Sequence, residues 1–331
     1  MTSDLTIFSL RISLRFYVVT VMCLIGLLCS GFVGLNYALN DFGLWRDHAM
    51  PNQLYGDPLT AKYLLSQRAI PLHFDSLLIG PSVSANVDVG NIASLEMYNL
   101  SVQGTNILRI RPTLEAFLEN NKRPGTLVFC LYPYFTNNLK LVPSRAYDDP
   151  ERSALFSTIP LHAYLSRAGR YFSGEAAYDK SSRGMIDISE VRKDHRPPYA
   201  EFAKKQDKKI AALIAQPAFT PHDKIIDPEA YKALAEVIES ARLKGYRIVA
   251  YYYPLNYRDF TIRQLNGEWP YFQQEMNKLF LDRDVVLDFN TSAYDDIRKS
   301  ETAYMDNHLN RLGADRFAEV LDDALARLNQ R

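Results

Sequence analysis

Residues 228–254 read PEAYKALAEVIESARLKGYRIVAYYYP, and they set the fold class. Over 228–245 the apolar residues recur at helical spacing and the run closes on Gly245, a glycine placed where helices stop. Residues 246–254, YRIVAYYYP, then form an apolar strand ended by Pro254. A helix feeding such a strand is half of a parallel crossover unit. The same rhythm extends both ways. SLLIG (76–80), MYNLSV (97–102) and TLVFCLYPY (126–134) read as strands, with a helical pattern NILRIRPTLEAFLENN (106–121) between the second and third. Downstream lie a helical stretch QQEMNKLFLD (273–282), a strand VVLDFN (285–290) and a closing helix RLGADRFAEVLDDALARL (311–328). About five parallel strands with helices on both faces are expected, an α/β three-layer sandwich.

Residues 135–225 interrupt the rhythm. They are rich in Ser, Arg, Tyr and Pro, with two helical patterns and no apolar strand, and read as a mainly helical insertion. No internal repeat or low-complexity tract is present.

The chain has 331 residues, with Lys+Arg and Asp+Glu equal at 38 each. A neutral chain offers no broad cationic field to a nucleic-acid backbone, so nucleic acid is not an expected partner. Cys23 and Cys29 lie in the apolar N-terminal run and Cys130 in a strand, which suggests neither a disulfide framework nor a zinc site. His48, His73, His162, His195 and His222 have no metal-ligand spacing, so no metal is expected.

From Phe16 to Asn40 there is no charged residue, a length that at about 1.5 Å per residue crosses a hydrocarbon core of roughly 30 Å. Arg11 and Arg15 precede this run while Asp41, Arg46 and Asp47 follow it. That asymmetry orients the chain with residues 1–15 in the cytoplasm, 16–40 across the inner membrane and the rest in the periplasm or cell exterior. A cleaved signal peptide is the alternative, but the run is longer than a usual signal core and no small-x-small site follows it. Residues 41–72 show no sustained period and read as a tether to a domain over 73–331.

In open parallel sheets ligands bind beyond the carboxyl ends of the strands, so the residues just after each strand are the informative ones. After the first strand comes IGPSVSAN, where Ser82 falls at the start of a helix, its hydroxyl and its own N–H facing one space; the plain alternative is a helix cap by Ser82 or Ser84. After the second comes YNLSVQGTN, where Gly104 can offer its N–H to an oxyanion or simply make a turn. Near the C-terminus comes YMDNHLNRLGADRF, with Asp306 two residues before His308. A histidine there can act as general base while the carboxylate fixes its tautomer, or it can be a surface histidine beside a capping Asp. The joint order of Ser, Gly, Asp and His favours a site over coincidence.

These motifs resemble the blocks of the SGNH-hydrolase superfamily, whose fold is flavodoxin-like. IGPSVSAN is similar to the first block, YNLSVQGTN to the second and MDNHLNRLG to the last; the likeness covers roughly 73–134 and 228–328. It implies Ser82 as nucleophile, His308 as base, Asp306 as its partner, and Ser82 and Gly104 as oxyanion donors. Three departures are visible. Pro81 stands where the superfamily's esterases have Asp, and the Asp-x-His spacing resembles that of periplasmic alginate O-acetyltransferases. The third block, whose asparagine the resemblance implies as a further oxyanion donor, reads YPYFTNN, leaving Asn137 or Asn138 to supply it. An anchored domain of this kind also resembles proteins that work with multi-spanning membrane-bound O-acyltransferases, including the teichoic-acid D-alanylation protein. The resemblance implies acyl transfer, such as O-acetylation of an envelope or secreted polysaccharide, with no cofactor. An esterase with the same triad and a catalytically silent scaffold that binds glycan or a membrane enzyme are the alternatives.

Overall fold

Strands form where the apolar runs predict them. The computed structural model describes residues 3–46, 50, 57–137, 145–173, 183–188 and 199–329. In chain order its main elements are α1 (Ser3–Leu39), α2 (Pro58–Ser66), α3 (Ala69–His73), β1 (Ser76–Ile79), α4 (Ser82–Ala85), β2 (Met97–Asn99), α5 (Ile107–Asn120) and β3 (Thr126–Leu131). After these come α6 (Pro150–Leu155), α7 (Ile159–Ser173), α8 (Tyr199–Ala215), α9 (Pro228–Leu243), β4 (Arg247–Tyr252), α10 (Tyr257–Leu265), α11 (Glu268–Asn277), β5 (Val285–Asp288), α12 (Asp295–Arg298) and α13 (Arg311–Asn329).

The five strands make one sheet, all parallel, in the order β2-β1-β3-β4-β5. The chain passes from β1 to one edge and returns past β1 to start the other half, so β1 and β3 flank the topological switch point. Every residue of β1 and β3 is buried, as strands covered on both faces require. Successive side chains at the end of β4 show the two coverings. Tyr251 and Tyr253 lie against Phe317 of α13, with ring centroids 5.4 and 6.2 Å apart, while Tyr252 lies against Trp269 and Phe272 of α11 at 5.6 and 6.2 Å. Because strand side chains alternate, α13 and α11 are on opposite faces.

Within 41–72, expected as a tether, the residues from Pro58 onward instead form α2 and most of α3 and pack into the main core. Asp57 caps α2, its Oδ2 accepting the Thr60 N–H at 3.0 Å, and Pro58 opens the helix. All of Leu59–Ser66 is buried. A helix buried on every side has no polar face, so it gives no amphipathic period to read.

Between β3 and α9 the described residues form helices and short turns without a strand. Parts of this segment return to the sheet: the Ile186 N–H donates to the Ala85 carbonyl at 2.8 Å, and the Asn99 N–H to the Arg183 carbonyl at 2.8 Å. At the other end, α1 contains one run, Leu14–Leu39, long and apolar enough to cross a membrane, and none of its most apolar stretch is buried.

Candidate active site

Ser82 opens α4 immediately after β1, at the switch point. Gly80 lets the end of β1 pack tightly against its neighbours: a Cβ on it would stand 2.5 Å from Cys130 Cβ and against Ser84 Oγ. As the first residue of a helical turn, Ser82 has an N–H with no intrahelical acceptor.

The structure brings the three expected catalytic residues together. Ser82 Oγ lies 2.9 Å from His308 Nε2, and His308 Nδ1 lies 2.9 Å from Asp306 Oδ1. The same Asp306 oxygen accepts the His308 backbone N–H at 2.8 Å. An ionised carboxylate only accepts, so it holds the imidazole proton on Nδ1; Nε2 of the neutral ring then presents its lone pair, and Ser82 Oγ–H donates to it. His308 is 6 % exposed and Ser82 half-buried, so the pair is reachable from one side only. Nearby Cys130 is no competing nucleophile, since burial pushes its thiol up to about 12.

Two scaffolds hold this pair, and neither is evident from the motifs. On the serine side, Asn99 at the end of β2 donates from Nδ2 to the Ser84 and Val87 carbonyls, both at 2.9 Å, and accepts the Ser101 N–H at 2.9 Å. Ser84 Oγ donates to Ser101 Oγ at 2.9 Å. Lys62 of α2, fully buried, directs its ammonium to the carbonyls of Asn99 (2.7 Å), Ser101 (2.7 Å) and Gly184 (2.6 Å). A buried cation surrounded by carbonyl dipoles fixes the carboxyl end of β2, the strand that leads to Gly104.

On the histidine side, residues 304–309 form a small hairpin, with Tyr304 bridging Leu309 and the Met305 N–H donating to the His308 carbonyl at 3.1 Å. Tyr253 hydroxyl oxygen accepts the Leu309 N–H at 2.9 Å, Tyr304 O–H donates to the Pro254 carbonyl at 2.9 Å, and Asn86 Nδ2 donates to the Leu309 carbonyl at 2.6 Å. Asn307 Nδ2 donates to the Tyr132 hydroxyl at 2.8 Å. Burial holds the Tyr132, Tyr253 and Tyr304 phenols above the usual tyrosine range, so these contacts do not titrate near neutrality.

Gly104 has φ +63°, and nothing lies within 4 Å of where its Cβ would stand. Its left-handed backbone and open surroundings suit an N–H donor that a ligand can approach. Asn137, expected as a further oxyanion donor, is engaged elsewhere: its Nδ2 donates to the Lys224 carbonyl at 2.9 Å, and its backbone carbonyl accepts Asn106 Nδ2 at 2.7 Å. That bond uses one of the two Nδ2 hydrogens and sets the orientation of the amide, while the second hydrogen can still donate. Asn138 lies outside the described residues, as do His48 and His195. Asn256, just after β4, caps α10 by accepting the Arg258 N–H at 3.1 Å and donates to the Tyr199 hydroxyl at 2.7 Å.

Among the described residues no group of three or more His, Cys, Asp or Glu side chains converges as a metal site would require. Comparison with models of known protein families and with curated proteins gives no match for this chain.

Proposed function

We propose that this chain is an extracytoplasmic O-acyltransferase of SGNH type, held at the inner membrane by α1 and acetylating an envelope or secreted polysaccharide. One observation carries the reading: a serine, a histidine and an aspartate in hydrogen-bond series at the carboxyl end of β1. In the first half-reaction Ser82 Oγ attacks the acyl carbon of a donor as its proton passes to His308 Nε2. Asp306 stabilises the resulting imidazolium, and the tetrahedral oxyanion is met by the N–H groups of Ser82 and Gly104. Collapse breaks the bond to the leaving group, which takes the proton from Nε2 and leaves an acyl ester on Ser82. In the second half a sugar hydroxyl gives its proton to Nε2 and attacks that ester; collapse returns the proton to Ser82 and frees the acylated sugar. These steps use no redox group. An acyl donor drawn from the cytoplasm would have to be handed across the bilayer, which gives a multi-spanning acyltransferase partner its place in the scheme.

The test uses the full chain in detergent or nanodiscs, an aryl acetate as donor, and chitooligosaccharides or mannuronate oligomers as acceptors. Mass spectrometry is expected to find acetylated sugar with wild-type protein, reduced at least about a hundredfold in Ser82→Ala and His308→Ala. Aryl-ester cleavage without acetylated sugar would favour an esterase. Three folded and equally inert proteins would favour a scaffold that binds glycan or a membrane enzyme.

A further inference from the structure

We infer that α7 is a membrane-interfacial helix, lying in the outer headgroup layer beside the end of α1, so that the domain is held against the bilayer surface and does not swing freely. The inference rests on α1 crossing the membrane, and it adds a second lipid contact far from that helix in sequence. Counted from Leu14, α1 rises about 33 Å by Asn36, close to the thickness of a hydrocarbon core of roughly 30 Å. Asn36 thus stands at the boundary, and there α1 meets the domain. Asn36 Nδ2 donates to the Leu155 carbonyl at the end of α6 at 2.9 Å, and Tyr164 O–H of α7 donates to Asn36 Oδ1 at 3.0 Å. Tyr37 and Trp45 pack at the same level with ring centroids 5.5 Å apart, the residue types that favour a headgroup layer.

This fixes the height of α7 at Tyr164, and among the described residues a row of exposed apolar side chains lies along it. Leu161, Leu165 and Phe172 follow at positions i, i+4 and i+11, which fall on one side of a helix, with Leu165 60 % and Phe172 84 % exposed. Phe156, between α6 and α7, is 67 % exposed. Over its length α7 contains Arg167 and Arg170 and no acidic residue, a charge that suits anionic headgroups. Helix α6 packs against α1 and α7 against α6, so the apolar side chains bared on α7 stand beside the spanning helix, and the bilayer is the occupant that fits both height and charge.

Photo-crosslinking tests this on the full chain. Benzoylphenylalanine replaces Leu165 or Phe172, with Leu24 in the middle of α1 as the spanning control and Leu243, exposed at the end of α9, as the aqueous control. The protein is reconstituted in vesicles of phosphatidylethanolamine and phosphatidylglycerol, and in parallel irradiated in native membranes. Lipid adducts are expected from positions 24, 165 and 172 and not from 243. Lipid adducts from 24 without any from 165 and 172 would overturn the inference and leave the spanning reading intact. Loss of the adduct at 24 as well would remove both. Adducts from 165 and 172 to a second copy in vesicles, or to another protein in native membranes, would assign the face to that partner and overturn the inference.

Discussion

The turn that carries Ser82 and the hairpin that carries His308 meet at 2.9 Å, yet they are held by different means. The serine turn is secured from below by a buried amide and a buried ammonium, Asn99 and Lys62, whose partners are mostly backbone carbonyls. The histidine hairpin is pinned by neutral groups, the hydroxyls of Tyr253 and Tyr304 and the amide of Asn86. Removing an ammonium strands several carbonyls together, whereas removing one hydroxyl strands one group. The serine side therefore concentrates its stability in few residues, and the histidine side spreads it over several.

Substitutions can break or sharpen that contrast. Lys62→Met leaves three buried carbonyls without their donor and is expected to cost about 4 kcal/mol, read as a lowered urea midpoint of the full chain in detergent. Asn99→Leu keeps the branched shape but strands the Ser84 and Val87 carbonyls and the Ser101 N–H; about 3 kcal/mol is expected by the same measurement. Tyr253→Phe orphans only the Leu309 N–H, for a loss of about 2 kcal/mol, with ester-cleavage kcat falling through displacement of the neighbouring His308. Tyr132→Phe removes the acceptor of Asn307 Nδ2 and, at 3.3 Å, of Arg263 Nη2, both part-buried contacts, and is expected to cost about 1 kcal/mol with little change in kcat. If Tyr253→Phe proved more damaging to stability than Lys62→Met, the contrast would be reversed. Smallest of all, a maleimide at pH 8 is expected to leave Cys130 unmodified in the folded protein while reacting after denaturation, because the thiol is buried and its pKa raised to about 12.

How much of this could be read from the residues follows from the same physics. Strands buried on both faces are continuous apolar runs, so SLLIG and YRIVAYYYP announced a parallel sheet. Parallel sheets put chemistry at strand ends, and that is where Ser82, Asp306 and His308 stand in the sequence. Helix α2 is not legible there because burial on every side erases the period that betrays a helix, and Lys62 inside it reads as a surface residue, although three carbonyls surround it in the fold. Asn99 ends an apolar strand, a signal that an asparagine with no solvent to face must bond something internal, though not what. Asn137 shows the converse: the residues place an amide after the third strand, and only the fold reveals that one of its hydrogens goes to the Lys224 carbonyl.

The account stands on Ser82 being an activated nucleophile. The direct measurement is exposure of the full-length protein to an alkyl fluorophosphonate, which esterifies activated serines, followed by mass spectrometry of the peptide that contains Ser82. A single adduct on Ser82 in the wild type, absent in His308→Ala and strongly reduced in Asp306→Asn, is the predicted result. A folded wild-type protein that takes no label, or takes it on another serine, would contradict the assignment of Ser82, His308 and Asp306 as a catalytic triad.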